Sequence, residues 1–434
     1  MSAPLLIDIS RLLYRAWQGK LHTGVDRVCI EYIHRYGQEA RAAIFFFHRL
    51  WIFPSFASKR LFDLVLNPGT NFSLRLFFLV FCWGGATWFP RNLKNAILLN
   101  LGHSNLERSS YLRALRRRAL RLVCFIHDLI PLTHPESCRA NKPCVHFKRI
   151  SKALPAASGV IVNSKATLRE VMHFAATHHL PLPPAVAALL APAPLPPPDS
   201  GRPLKDPYFV MVGTIEPRKN YAFLLQLWRQ MAKAQNQSPI PHLVLIGQRG
   251  WSFGNVTDLL EHCSALQGLV HEISACSDRA LATYLHHSQA LLFPSFEEGF
   301  GMPIAEALGG GVPVIASNLP VFREFAGDIP EYIAPLDGLR WMEVIQNYAT
   351  PSSPMRTAQL ARATRFQPPT WKAHFQAVDV LLEPLRKKNT PAIRPAFLPV
   401  AGVSFKTTST PYIPETSITG FQKTFEKSSH LSTP

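Results

Sequence analysis

No CxxC pair and no paired metal-ligand spacing occurs among the seven cysteines of this 434-residue chain. Structural zinc sites depend on such spacing. Cys138 and Cys144 stand closest, with His134 and His146 nearby, and ordinary loop residues explain them more simply than a zinc site. Scattered thiols fit a reducing cytosol rather than a disulfide framework. A spanning helix needs about 20 apolar residues. The uncharged run from Leu76 to Phe89 has fourteen and contains Gly84-Gly85, so a buried strand and turn, or an in-plane membrane contact, fits it better. The opening residues, MSAPLLIDISRLLYR, do not read as a signal peptide, because Asp8 interrupts the apolar run and no cleavage site follows. Acidic residues are scarce: 28 Asp and Glu face 46 Lys and Arg, for a formal net charge of +18. Such a balance suits nucleic acid, an anionic membrane surface or phosphorylated substrates. No RNA- or DNA-binding motif accompanies it, which puts nucleic acid last.

The most informative stretch is FPSFEEGFGMPIAE, residues 293 to 306. An apolar run ends at Pro294-Ser295, two carboxylates follow (Glu297, Glu298), then Gly299-Phe300-Gly301. A helix is predicted from Pro303, with Glu306 in its first turn. Proline at a helix start loses no needed hydrogen bond. Glycines let a ligand approach the backbone, and the free amides and positive dipole end favour an anion. Glu298 and Glu306 then flank an anion site and can accept hydrogen bonds from hydroxyls. Hydroxyls on both sides of a diphosphate describe a nucleotide sugar. A second element, GTIEPRKN (213 to 220), follows a strand directly and places Arg218 and Lys219 at a loop-to-helix junction. Arginine can fork onto phosphate oxygens, and lysine acts as a point charge.

Around these motifs, apolar strand-like segments alternate with helix-like ones. Strands are predicted at 5–9, 43–47, 97–101, 122–127, 159–163, 208–212, 242–246, 291–293 and 312–316, and helices at 24–36, 111–121, 220–232, 278–285 and 371–385. The 111–121 helix is very basic (Arg113, Arg116, Arg117, Arg118, Arg121). Ser164 should cap the helix after 159–163, and Ser277 could cap 278–285. Residues 181–206 are proline-dense and read as a partly extended linker. The alternation implies an α/β fold with two parallel sheets covered by helices on both faces. Ligands in such folds sit beyond the carboxyl ends of strands, where His127, Glu216, Arg218, Lys219 and Glu298 all fall. The tail 389–434 is rich in Thr, Ser, Pro and Lys, and reads as disordered.

GTIEPRKN, LVLIGQRGW (243 to 251), LLFPSFEEGFGMPIAEAL (291 to 308) and VPVIASNLPVFREFAG (312 to 327), in that order, resemble the family-4 retaining glycosyltransferases. The N-terminal half resembles a subgroup with a TGVDRV element (Thr23 to Val28) and a strand-end HDLIPLTHPE element (127 to 136), whose bacterial members assemble surface polysaccharides. The resemblance implies the GT-B architecture: two Rossmann-like doubly wound domains facing a cleft. Domain boundaries follow as 1–180 on the acceptor side, the 181–206 linker, 207–365 for the nucleotide sugar, and a helix at 366–388 crossing back to the first domain.

Site roles also follow from the resemblance. Arg218 and Lys219 would hold the donor diphosphate and stabilise the leaving nucleoside diphosphate. Glu306 would bind ribose, and Glu298 the donor sugar. Gly213, Thr214, Gly299 and the backbone of Phe300, Gly301 and Met302 would line the donor. Gly24 would approach the diphosphate from the facing domain, and His127 would face the sugar near the reacting carbon. No metal or other cofactor is implied, and no DxD element stands at a convincing strand end. The expected reaction moves a hexose, with mannose from GDP-mannose the leading guess, onto a lipid-linked or saccharide acceptor at the inner face of the cytoplasmic membrane. Arg113, Arg116, Arg117 and Arg118 would meet anionic lipid there, or form a solvated helix face. The alternatives are a GT-B nucleotide-sugar epimerase and a non-catalytic nucleotide-sugar-binding protein. A glycosidase-like double displacement with Glu298 as nucleophile competes with front-face attack assisted by the departing phosphate.

Overall fold

The computed structural model describes residues 3–20, 22–84, 93–234, 240–251 and 254–387. It contains two sheets. The first holds β1 (Leu5–Asp8), β2 (Arg41–Phe46), β3 (Arg49–Ile52), β4 (Ile97–Asn100), β5 (Arg121–Ile126), β6 (Ala157–Val162) and β7 (Ala185–Ala187), in the order β3-β2-β1-β4-β5-β6-β7. All neighbours run parallel except β3, which returns antiparallel beside β2. The second sheet is wholly parallel. It holds β8 (Tyr208–Val212), β9 (His242–Ile246), β10 (Val270–Ile273), β11 (Leu291–Phe293), β12 (Val314–Ser317) and β13 (Glu331–Ile333), in the order β10-β9-β8-β11-β12-β13.

Each sheet reverses its strand order once, between β1 and β4 in the first and between β8 and β11 in the second. A crevice opens at the carboxyl end of such a switch point. The central strands are buried along their whole length, for instance LLID, RLVCFI and LLF. Helices cover both faces, so these strands read as continuous apolar runs rather than alternating ones.

Several sequence-based expectations change. Part of the uncharged run, expected as a buried strand and turn or as an in-plane membrane contact, is the helix Phe72–Gly84 and no strand. Phe72, Leu76, Leu79 and Val80 pack on the core at helical spacing. Leu74, Phe77 and Phe78 lie outward. The remainder of that run, 85–89, falls outside the described residues. The basic helix is shorter than expected, Ser109–Arg117. Ala119 turns into the left-handed region (φ 49°) and β5 already begins at Arg121. Arg113, Arg116 and Arg117 are exposed and Arg118 is half-buried, while Arg121 is buried and donates to the Leu385 carbonyl. Within the proline-dense stretch, Ala185–Ala187 forms the edge strand β7 beside β6. The tail 389–434 lies outside the described residues.

The Trp371–Arg386 helix packs on the first sheet, although it follows the second in sequence. Tyr32 Oη lies 2.9 Å from His374 Nε2, and the Ala3 amide donates to the Arg386 carbonyl at 2.9 Å. Phe375 makes edge contacts with Tyr32 and Tyr36, with ring centroids at 5.1 and 5.5 Å. Among the described residues no helix is long and apolar enough to cross a membrane.

Candidate active site

The loop after β8 and the loop after β11 lie side by side at the switch point of the second sheet. The first carries Arg218 and Lys219, in a short turn of helix Pro217–Lys219. Asn220 adopts left-handed backbone (φ 66°) and turns the chain into the helix Tyr221–Lys233. The second loop carries Glu297 and Glu298. The loops are tied together: the Phe296 amide donates to the Arg218 carbonyl at 3.0 Å, and Arg218 Nη1 donates to the Glu297 carbonyl at 2.7 Å.

Glu298 is the hub. Its Oε2 lies 2.7 Å from Arg218 Nη1, and its Oε1 accepts from Lys219 Nζ at 2.5 Å and from Ser295 Oγ at 2.9 Å. Burial alone would push the Glu298 carboxyl up, but Arg218 and Lys219 bring it down to about 2. Burial depresses the Lys219 ammonium, and Glu298 opposes that shift. Arg218 has a second partner in Glu216, at 2.6 Å. Glu298, expected to contact the donor sugar, here pairs with and aligns the two cations. A carboxylate saturated by two cations and a hydroxyl is also a poor nucleophile.

The FEEGFG loop must pass very close to the first sheet. A Cβ on Gly299 would stand 2.5 Å from the His127 carbonyl oxygen and 3.1 Å from the Asp128 side chain. Gly301 has φ 102°, and a Cβ there would meet the Phe322 ring at 2.6 Å. Both positions require glycine. The helix Met302–Gly309 follows, with Gly301 as its cap and Pro303 in its first turn. Glu306 is its fifth residue, one position deeper than expected, and is 7% exposed. Burial pushes its carboxyl up to about 7, against the pull of Arg27. Phe300 turns its ring inward, stacked on Phe325 at 4.8 Å, so only its backbone faces the opening. Gly213 lies against Lys219, and Thr214 is exposed.

Across the gap, His127 follows β5. Its Nε2 lies 2.7 Å from the Leu101 carbonyl, which can only accept, so Nε2 carries the proton and Nδ1 does not. The ring stacks on Phe125 at 4.3 Å. Burial lowers its pKa to about 4, so the imidazole is neutral at physiological pH. His103, in left-handed backbone (φ 59°), accepts the His127 amide at Nε2 (3.2 Å) and so positions it. Asn163 Nδ2 holds the His127 carbonyl at 2.8 Å.

Gly24 opens the helix Gly24–Tyr36 with nothing within 4 Å of where a Cβ would stand. Thr23 and Asp26 form a capping box, and buried Asp26 also takes Arg11 (2.8 Å) and Arg15 (2.7 Å). Arg27 reaches across to Glu306 at 3.4 Å and to Asp278 at 3.7 Å. Other contacts also join the two halves. Glu324 accepts from the Lys165 and Ala166 amides at 2.7 and 3.2 Å, at the start of the helix Lys165–Thr177. His134 Nδ1 lies 3.8 Å from Glu297. Burial, Glu297 and Asp128 raise the nearby Glu170 to about 7.

His127, Arg218, Lys219, Glu298, Gly299 and Glu306 thus line one interface, with Gly24 on its far side. Sequence reasoning missed Arg27, His103 and Ser295. Arg27 had a visible signal: it stands three residues past Gly24, on the same helical face, inside the TGVDRV element. Ser295 and His103 become informative only once the strand ends are located. Among the described residues no group of three or more His, Cys, Asp or Glu could hold a metal ion.

Residues 196–329, which include both cleft loops of the second sheet, match the family model for glycosyl transferases group 1. The chain is similar to the serotype-specific mannosyltransferase WbdA of Escherichia coli, 34% identical over 202 residues, covering 44% of this chain and 22% of that protein. It is also similar to the Escherichia coli O-antigen chain mannosyltransferase B, 36% identical over 121 residues, covering 28% of this chain and 31% of the other. The match thus spans about a fifth to a third of these relatives' length. The solved α,α-trehalose-phosphate synthase of Burkholderia vietnamiensis superposes with a TM-score of 0.54 at 11% identity, over 89% of this chain and 97% of that one. Identity that low speaks to architecture alone, and the architecture is an α/β GT-B fold.

Proposed function

We propose that this chain is a retaining glycosyltransferase that moves a hexose from a nucleotide sugar to a growing saccharide. The leading donor is GDP-mannose, because the similar proteins include O-antigen mannosyltransferases. The leading acceptor is a lipid-linked oligosaccharide of a bacterial surface polysaccharide. One observation carries the reading. Two buried, carboxylate-aligned cations and the start of the Met302–Gly309 helix share one switch point, pressed against the neutral His127 of the facing sheet.

The chemistry follows from that arrangement. Cleaving the bond between sugar and diphosphate builds negative charge on the leaving phosphate. Arg218, Lys219 and the helix start stabilise it from fixed positions, and charges held in place before the reaction need no reorganisation as it proceeds. The same cations make a metal unnecessary. Glu306 accepts hydrogen bonds from the ribose hydroxyls. His127, with its Nε2 proton committed to Leu101, offers Nδ1 as an acceptor to a sugar hydroxyl. Glu298 keeps the two cations paired and correctly aimed. The acceptor hydroxyl attacks from the face the diphosphate leaves, giving it its proton, so the anomeric configuration is retained. The enzyme works in the cytoplasm at the inner membrane face, where Arg113, Arg116 and Arg117 meet anionic lipid. Each juxtamembrane cation adds about 1 kcal/mol.

The test is a turnover assay with a panel of nucleotide sugars and saccharide or lipid-linked acceptors, with the product's anomeric configuration read by NMR. A product of inverted configuration would remove the retaining mechanism. Donor converted to another sugar without any acceptor would make the chain an epimerase. Flotation with anionic liposomes tests the location: binding unaffected when Arg113, Arg116 and Arg117 are neutralised would sink the membrane role.

A further inference from the structure

The TGVDRV element contributes more than Gly24 to the cleft. Arg27 stands one turn after Gly24, so both lie on the same face of the helix start. The capping box and the Arg11 and Arg15 pairs engage the Thr23 and Asp26 side chains, and the Arg27 side chain bonds to neither. Instead it leaves its own half of the molecule. Its two ion pairs, to Glu306 at 3.4 Å and Asp278 at 3.7 Å, are both long. Charge-assisted N–H···O bonds settle near 2.7–2.9 Å. Asp278 is 71% exposed and Arg27 itself 44%. Arg218 and Lys219, by contrast, hold their carboxylates at 2.5–2.7 Å and are largely buried.

Charge counting sharpens the contrast. Arg218 and Lys219 are balanced by Glu216 and Glu298, so those four side chains sum to zero. A diphosphate brought to them finds aligned donors but no surplus positive charge. Arg27 is a nearby cation whose present partners hold it loosely, and there is open space in front of Gly24 for a ligand.

We propose that Arg27 is a third cation of the diphosphate site, held by Glu306 when the site is empty and passed to the diphosphate when ribose hydroxyls claim Glu306. The ligand class is a nucleoside diphosphate, free or sugar-linked. The inference rests on the donor-site reading above. Donor binding then exchanges a protein–protein ion pair across the cleft for two protein–ligand contacts, one from each half.

Titration calorimetry with GDP, UDP, guanosine and uridine, on the wild type, Arg27→Ala and Arg27→Lys, tests this. Arg27→Ala should weaken the preferred diphosphate tenfold or more. It should leave the matching nucleoside unchanged or a few-fold tighter, because Glu306 is released. Arg27→Lys should fall between. Wild-type or tighter diphosphate binding by Arg27→Ala would overturn the proposal, since Arg27 would then only obstruct Glu306. Equal weakening of diphosphate and nucleoside would also overturn it, by making Arg27 structural. The nucleoside arm reports whether the variant keeps its site. Wild-type protein that binds none of the four would instead remove the donor-site reading itself, and Arg27's role with it.

Discussion

At the residue scale, the two glutamates of the site titrate in opposite directions, for separate physical reasons. Glu298 is held down to about 2 by Arg218 and Lys219, against an ordinary value of about 4.3. A lowered carboxylate adds stability above its unfolded value and loses it as pH falls through the folded one. We therefore expect an acid-sensitive share of stability between about pH 4 and about pH 2. Glu298→Gln should remove that share and, by leaving two cations buried together, cost about 3–5 kcal/mol in urea unfolding at pH 7. Glu306 is pushed up to about 7 by burial. Its contribution is complete below about pH 4 and is lost as pH rises through about 7. Glu306→Gln should therefore flatten the decline in melting temperature between those values, although Glu170 keeps part of the slope. An unchanged slope would show that Glu306 is not buried in solution. Arg218, Lys219 and Glu298 could be singled out in the sequence because their loops follow apolar strands, and Glu306 because it sits near the start of the helix predicted after the second loop. The direction of Glu298 could not be read there, because the cations that set it, Lys219 and Arg218, stand on a loop far away in the chain and meet it only in the fold.

At the element scale, the FEEGFG loop joins the two halves. Its glycines answer to separate demands. Gly301 permits a backbone conformation, and Gly301→Ala should lower stability by about 1–3 kcal/mol. Gly299 allows contact with His127, so Gly299→Ala should leave each sheet folded but prop the halves apart. We expect near-wild-type melting with turnover reduced at least tenfold. A Gly299→Ala protein of normal turnover would show that the cleft works without this close approach. Sequence periodicity recovered the buried central strands, since parallel strands covered on both faces read as unbroken apolar runs. It did not find β3, β7, β10 and β13, which are short edge or near-edge strands of three or four residues, several of them half-exposed, such as VHEI and EYI. The Phe72–Gly84 helix was misread for a related reason. Its outward residues are as apolar as its inward ones, and this hides the helical period.

At the scale of the whole molecule, the Trp371–Arg386 helix closes the chain back onto the first sheet and covers Tyr32 and Tyr36. Phe375→Ala should cost about 3–5 kcal/mol, as large aromatic deletions in cores do, and the loss should appear in unfolding of the first sheet rather than in nucleotide contacts. A mutant of wild-type urea midpoint would contradict this packing. The two-sheet organisation was visible in the alternation of elements, and the cleft was implied by the family resemblance. How the halves approach was not, because Glu324 on the Lys165–Thr177 helix and Arg27 on Glu306 join residues more than 150 apart.

The most direct test of the proposed activity is nucleoside diphosphate release from a panel of nucleotide sugars, with and without saccharide acceptor, by the wild type and by Lys219→Ala. Release with one donor that requires acceptor, places the sugar in a new glycosidic bond and falls at least a hundredfold in the mutant is the result we expect. Release that ignores the acceptor, or that survives Lys219→Ala intact, would contradict a glycosyltransferase built on this pair of cations.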